Sequence, residues 1–415
     1  MRDRALANDY DVKEILDQVK VRGYFDPGDF PGLSLPLNQY HELMQLIKKH
    51  GYLTKTVSDS STKPTKKESI NIINSLRKGV PPRSIDVSLF SVGRGNVVER
   101  FRKDLKAVEN DYPSARFMNA DWGSGKTHSL LLLREIAFRS GFVVSIVTLS
   151  QASCPLYDFM QVYHQIMWNL RTSDERDQPA MENVLTRWLQ TINEIGQERA
   201  KAIIGKLPQN LVQSLHSYHE SVSPLIPDEG KRLSVLKYLS GDTISSAELR
   251  RINIKHRIDS SNALNMLSNM AALFRNLKYK GICILFDEAE SIHSFAQSNH
   301  RDQAYKNILQ VIQQSTKTKC CYFFYATTPS FFDNYFQYLP PKAINSNDIV
   351  ELDRLGVKEL QKLAAKICEI YAISKNVNIP SDVLGLLKRS SLDPTFSETI
   401  GNFVRRCIAV LDDKT

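Results

Sequence analysis

No stretch constrains this chain more than Ala120-Asp-Trp-Gly-Ser-Gly-Lys-Thr127. An apolar run, Arg116–Ala120, precedes it, and a leucine-rich stretch with helical spacing, Leu130–Ile136, follows. Strand, glycine loop and helix in that order make a phosphate-binding loop, or P-loop. Gly123 and Gly125 let the backbone curl until successive N–H groups face one point. The helix that follows adds the positive end of its dipole. Lys126 is placed to reach the β- and γ-phosphates of a bound nucleotide, and the Thr127 hydroxyl to ligate magnesium. Ala120 stands where the first glycine is usual; alanine is the smallest replacement and tolerates the end of a strand. Asp121, Trp122 and Ser124 complete the loop, and the Trp122 indole is set against ligand or sheet. His128, next along, reads as a packed or solvated residue at a helix start.

A second element supports the first. In Ile282-Cys-Ile-Leu-Phe-Asp287-Glu288-Ala-Glu290 an apolar run ends in two adjacent carboxylates. That places Asp287 and Glu288 at the C-terminal edge of a sheet, where α/β folds bind ligands. Asp287 is expected to hold magnesium through water and Glu288 to orient and polarise the attacking water. Glu290 reads as solvated or as the start of a helix. A third run, Tyr322-Phe-Phe-Tyr-Ala-Thr327-Thr328-Pro329, ends in hydroxyls. If it lies between the other two strands, Thr327 or Thr328 can bond the attacking water or the γ-phosphate; otherwise Thr328 simply caps the turn before Pro329.

Apolar runs at Arg116–Ala120, Val143–Leu149, Ile282–Phe286, Tyr322–Ala326 and Ile349–Leu352 alternate with helical stretches. This is the pattern of an α/β domain with a central parallel sheet. The second and third runs lie too far apart for one crossover helix, and residues 153–260 between them read as a helical insertion. Trp168 and Trp188 fall on helical stripes and are expected in the core. The core is taken as 69–355, with a helical lid over 356–415. Residues 1–57 read as a small helical unit, in the manner of a winged helix, on the spacing of Val12, Ile15, Leu16 and Val19 and of Leu43, Met44, Leu46 and Ile47. Residues 58–68 read as a linker, and a helix is expected at Ile70–Arg77.

The chain has 415 residues, 42% hydrophobic and 24% charged, which suits a protein of two or three domains with a sizeable core. No apolar run approaches the roughly 18 residues a membrane span needs. A secretion signal is not expected either, because the opening MRDRALANDYDVKE is charged. Cys154, Cys283, Cys320, Cys321, Cys368 and Cys407 form no C-x-x-C pair and read as reduced and buried, which points to the cytoplasm. The +9 formal charge is uneven: residues 44–106 carry fourteen Lys/Arg against five Asp/Glu, a surplus of nine. That stretch is either a lysine-rich solvated linker or a surface for DNA phosphates, whose affinity would come from counterion release.

In order and spacing these pieces resemble the AAA+ class of P-loop ATPases, nearest its origin-recognition-like branch. More narrowly, the chain is similar to the BREX-system ATP-binding family, which belongs to bacterial phage defence. The residues that carry the resemblance, besides the P-loop, are Ile73-Asn-Ser-Leu-Arg-Lys-Gly-Val-Pro-Pro82, Phe90-Ser-Val-Gly-Arg94, Asp259-Ser-Ser-Asn-Ala-Leu264, Gly281–Glu290 and Ala326-Thr-Thr-Pro-Ser-Phe-Phe332. It covers roughly 70–412 and implies an ATPase with ATP and Mg2+ as cofactors. It further implies that Val92, Gly93 and Arg94 pack on adenine, with Arg94 turned to the base or to a neighbouring molecule. The run Asn402-Phe-Val-Arg405-Arg406 matches a lid helix whose arginine senses the γ-phosphate, and spacing does not separate Arg405 from Arg406. Between Pro329 and Ile349, where a finger arginine is expected, only Lys342 is basic. Slow turnover alone, or activation by a partner, follows from that. Helicase or methyltransferase subunits of a defence complex are the implied protein partners, and self-association is a further expectation. The competing reading is a nucleotide-dependent interaction switch with negligible turnover; a small-molecule kinase is a third, opposed by the Asp287–Glu288 pair.

Overall fold

The computed structural model describes residues 63–414 apart from 83, 113, 174, 175, 177, 178, 196–202, 204, 205, 316–319, 336, 337, 339, 341, 342 and 394–397; before residue 63 it describes Lys13, Asp17, Tyr24–Phe25 and Leu53–Thr54. The chain divides into two compact units, Met1–Pro64 and Thr65–Thr415. In the first, Lys13 and Asp17 are helical, and Tyr24–Phe25 pairs in parallel with Leu53–Thr54. That strand pair was not expected in a helical unit. The apolar stripes at Val12–Val19 and Leu43–Ile47, and with them the winged-helix reading, lie outside the described residues.

The second unit opens with α1 (Lys66–Arg77), four residues earlier than the expected start. Thr65 and Glu68 form a reciprocal capping box, in which the Glu68 N–H donates to Thr65 Oγ1 and the Thr65 N–H to Glu68 Oε2. The start signal was therefore Thr65-x-x-Glu68, inside what read as linker. Two helices follow, α2 (Ser84–Phe90) and α3 (Gly95–Glu109).

Six strands then build one sheet: β1 (Ser114–Asn119), β2 (Val143–Thr148), β3 (Leu170–Arg171), β4 (Ile282–Asp287), β5 (Cys321–Thr327) and β6 (Ile349–Glu351). Their order across the sheet is β3-β2-β4-β5-β1-β6. All neighbours pair in parallel except β3, which runs antiparallel to β2 at one edge. Every residue of β4 and β5 is buried, because both faces of these central strands are covered by helices. Two residues are too few for a readable alternation, so β3 left no sequence signal.

Among its described residues between β2 and β4 the chain adds helices to β3. It forms α4 (Lys126–Arg139) before β2, then α5 (Phe159–Trp168), α6 (Met181–Ile195), α7 (Gln209–Ser221), α8 (Glu229–Leu239), α9 (Ser246–Arg251) and α10 (Ala263–Asn276). Their apolar faces join the sheet in one continuous core that includes Tyr163, Trp188, Leu211, Tyr238 and Phe274. Trp188 is in this core as expected, but Trp168 is 55% exposed at the end of α5, its ring over His164. Beyond β4 come α11 (Ser298–Ser315) and α12 (Pro329–Tyr335), then the three lid helices α13 (Val357–Lys375), α14 (Ser381–Ser390) and α15 (Ile400–Lys414).

A second apolar cluster belongs to the lid. It joins Leu360, Ile367, Leu387, Phe403 and Leu411 to Ile72, Ile73 and Leu76 of α1. The first helix of this unit thus packs with its last ones, an arrangement sealed by the Arg77–Asp412 ion pair at 2.8 Å. All six cysteines are free and buried, and no helix among the described residues is long and apolar enough to cross a membrane.

One buried polar network ties α3 to the sheet below the site. Asp104 accepts from Arg116 Nε at 2.8 Å, Arg116 Nη2 at 2.7 Å and the Tyr322 hydroxyl at 2.9 Å. Removing one member of a buried pair strands the other in low dielectric, at about 3–5 kcal/mol. Asp104→Ala should lower the thermal midpoint accordingly, measured by calorimetry. A loss under about 1 kcal/mol, the size of an exposed pair, would refute that role.

Candidate functional site

β5 lies between β1 and β4, so the strand leading into the P-loop and the strand ending in acids are two interstrand spacings apart, roughly 10 Å. The loop folds back over β5 to close that gap. The Thr127 hydroxyl donates to Asp287 Oδ2 at 2.7 Å. Lys126 Nζ lies 2.9 Å from Glu290 Oε1 and 3.5 Å from the Ala120 carbonyl oxygen. The P-loop and the acidic end of β4 are therefore one site.

The loop has the backbone its glycines allow. Gly123 (φ +78°) and Gly125 (φ +92°) are left-handed, and Gly125 caps α4 with its N–H side open. A Cβ on Gly123 would meet the Thr399 side chain at 2.6 Å, and one on Gly125 would meet Arg94 Nη2 at 2.9 Å. The Gly123 carbonyl accepts from the Ile400 N–H at 3.2 Å, which ties the lid to the loop. Ser124 donates from its hydroxyl to the Asp121 carbonyl at 2.7 Å. Asp121 itself is exposed and pairs with Arg354 at 3.1 Å on the rim.

Arg94 departs from expectation. Expected to turn to the base or to a neighbouring molecule, it is buried inside its own chain and donates from Nη2 to the Ser124 carbonyl at 2.5 Å and from Nη1 to the Asp353 carbonyl at 3.4 Å, while still lining the cavity beside the loop. Burial without a carboxylate in bonding range lowers its pKa to about 10. Val92 and Gly93 precede it; Val92 packs against the lid cluster, and Gly93 lies against Leu355. His128 is held in the protein: Ser91 Oγ donates to the Val87 carbonyl at 2.7 Å, so it accepts from His128 Nε2 at 2.8 Å, and the ring packs edge-on to Phe90. Burial first, and then the charge of Arg94, lower the imidazole pKa to about 3.

Beside the loop, between α1, α4 and the lid, opens a cavity of about 420 Å³. Leu76, Phe90, Val92, Leu363 and Val404 give it an apolar half, and Arg94, Lys126, Thr127, His128, Glu288 and Arg405 a polar one. Trp122, 77% exposed, forms part of its wall. Arg405 lines the cavity, whereas Arg406 is not among its lining residues, a distinction that spacing alone left open.

At the end of β4 the chain turns sharply, because Glu288 is left-handed (φ +59°), into a short 3-10 helix, Ala289–Ser294. Glu290 lies in the first turn of that helix, one of its two readings, and is brought back to Lys126 rather than out to solvent, which was the other. Three carboxylates crowd one edge. Burial pushes Asp287 above the usual aspartate range, against the hydrogen bond from Thr127. Burial, then Glu290, then Asp287 push Glu288 up. Of the two threonines ending β5, Thr327 is fully buried and gives its hydroxyl to the Met118 carbonyl at 3.2 Å, so that hydroxyl is turned away from the site. Thr328 shares a hydrogen bond with Ser330 at 2.8 Å. Thr127 and Asp287 are hard oxygen donors side by side, a set that suits Mg2+, which keeps several waters and takes phosphate oxygens for the rest. No group of three or more His, Cys, Asp or Glu among the described residues could hold a metal unaided.

A family model described as BREX system ATP-binding protein BrxC/D matches residues 65–337. The match takes in the P-loop and the acidic strand and stops before the lid, short of the expected reach to 412. No curated protein matches the chain.

Gly125→Ala should weaken nucleotide binding at least about tenfold, since the new methyl both opposes the backbone and displaces Arg94, while the fold survives. Titration of ATP against the variant, alongside its thermal midpoint, checks this; unchanged affinity would contradict it.

Proposed function

The chain belongs to the BREX system ATP-binding protein family BrxC/D, and from that premise we propose that it binds ATP with magnesium between the P-loop and the end of β4 and hydrolyses it. The observation that most supports this is the convergence of Thr127 and Asp287 at 2.7 Å, beside a cavity lined by apolar side chains and by polar ones that include Arg94, Lys126 and Arg405. Adenine would occupy the apolar half. The P-loop amides and Lys126 would hold the phosphates, steadied by Arg94 from behind the loop. Thr127 would ligate Mg2+, and Asp287 would hold it through water; when bound, the ion neutralises charge on the β- and γ-phosphate oxygens. Glu288 would orient the attacking water and take its proton, with its raised pKa suited to that role. Thr328 is the remaining hydroxyl that could steady that water, and Arg405 would reach the γ-phosphate from the lid.

In the defence complex, nucleotide state would be coupled to DNA or to a DNA-acting partner in the cytoplasm. Lys66, Lys67 and Lys78 on and beside α1 are exposed, while Arg77 is paired to Asp412. Because α1 packs with the lid, a change in lid position at the nucleotide would reach this basic face directly. The interaction-switch reading is favoured by one observation, that no arginine stands between Pro329 and Ile349 to act as a finger on a bound triphosphate.

Two experiments discriminate. Lys126→Ala should remove ATP binding, followed through Trp122 fluorescence, and Glu288→Gln should retain binding while losing about a hundredfold or more in turnover; normal hydrolysis by Glu288→Gln would dismiss the catalytic assignment. DNA should stimulate wild-type turnover, and its binding should fall steeply with salt and with charge reversal at Lys66, Lys67 and Lys78. Tight retention of ATP without turnover, with or without DNA, would leave the switch.

A further inference from the structure

We propose that Glu290 is a positioning residue that holds the Lys126 ammonium at the phosphate cradle and competes with phosphate for it, so that this carboxylate sets the affinity of the site. The inference rests on the nucleotide-site reading above.

An ammonium has three N–H donors. In Lys126 one points to Glu290 Oε1 at 2.9 Å and one toward the Ala120 carbonyl oxygen at 3.5 Å, which leaves one for a phosphate oxygen. Lys126 and Glu290 are only 8% and 16% exposed, so water screens their attraction little. The carboxylate is also poorly satisfied: Glu290 Oε2 is buried and has no hydrogen-bond partner among the described residues. Its position is built in. The left-handed turn at Glu288 starts the 3-10 helix, and buried Ala289 and Ile292 anchor that helix on either side of Glu290.

A phosphate arriving at Lys126 therefore meets a negative charge already on the lysine, with Asp287 and Glu288 close behind. Either the ammonium divides its donors between two anions, or Glu290 gives up its ion-pair partner in a buried place. Both weaken binding of phosphates that reach Lys126 and neither affects the base and ribose. The effect must accordingly depend on phosphate number, being large for ATP and ADP and absent for adenosine.

Glu290→Gln keeps the shape and an accepting oxygen for Lys126 but removes the charge. It should tighten ATP and ADP at least about tenfold and leave adenosine affinity unchanged, measured by calorimetric titration with each ligand and a thermal midpoint for each protein. Glu290→Asp, with its charge one methylene short of Lys126, should tighten ATP by a smaller factor, and it serves as the test if the Gln variant does not fold. Unchanged or weaker ATP binding would overturn the proposal and leave Glu290 as a structural support of the loop. Equal tightening of adenosine would overturn it too, because charge competition cannot reach a ligand without phosphate. Failure of the nucleotide-site reading looks different: the wild-type chain would then bind none of the three, and the inference would fall with it.

Discussion

The hydrogen bond from Thr127, at the start of α4 beyond β1 and its loop, to Asp287, at the end of β4, spans one sheet position. β5 stands between their strands, and its parallel register with both, Asn119 opposite Thr327 and Phe286 opposite Tyr325, brings the ends of β1 and β4 level. The left-handed glycines at 123 and 125 then carry the chain back across β5 and start α4 facing the acids. Without the buried apolar pair β4 and β5, the loop would have nothing to cross and the acids no fixed place. The polar triad of Asp104, Arg116 and Tyr322 supports two of these strands, β1 and β5, from the side of α3.

The lid brings a second set of constraints to this loop. Ile400 donates to the carbonyl of Gly123, Thr399 fills the space a side chain at 123 would need, and Arg405 reaches into the cavity from the next turn of α15. α1 is packed into that lid and carries exposed lysines at its start. Site, lid and basic face are thus joined by direct packing, the path along which the proposed coupling would run.

How much of this was legible follows from how local each cause is. The P-loop, the acidic strand and all five parallel strands were readable because apolar runs and glycine spacing are contiguous in sequence. The capping box at Thr65 and Glu68 was equally local and was hidden only by the polar composition around it. Glu290 was not readable, since its place depends on the left-handed turn at Glu288, a conformation that glutamate rarely adopts. Arg94 gave no sign of burial either, because its partners are main-chain carbonyls 30 and 259 residues away. Arg405 and Arg406 both flank the buried stripe of Phe403, Val404, Cys407 and Ile408, so periodicity does not show that Arg405 lines the cavity and Arg406 does not.

The central claim is that the lysine–threonine end of the P-loop and the acid of β4 hold one metal–triphosphate together. Mn2+ in place of Mg2+ tests it through the electron paramagnetic resonance signal of the free ion. The account predicts that ATP drives uptake of one Mn2+ per chain, and that Asp287→Asn and Thr127→Ala each abolish this uptake in a folded protein. Uptake of Mn2+ with ATP by Asp287→Asn equal to that of the wild type would contradict it.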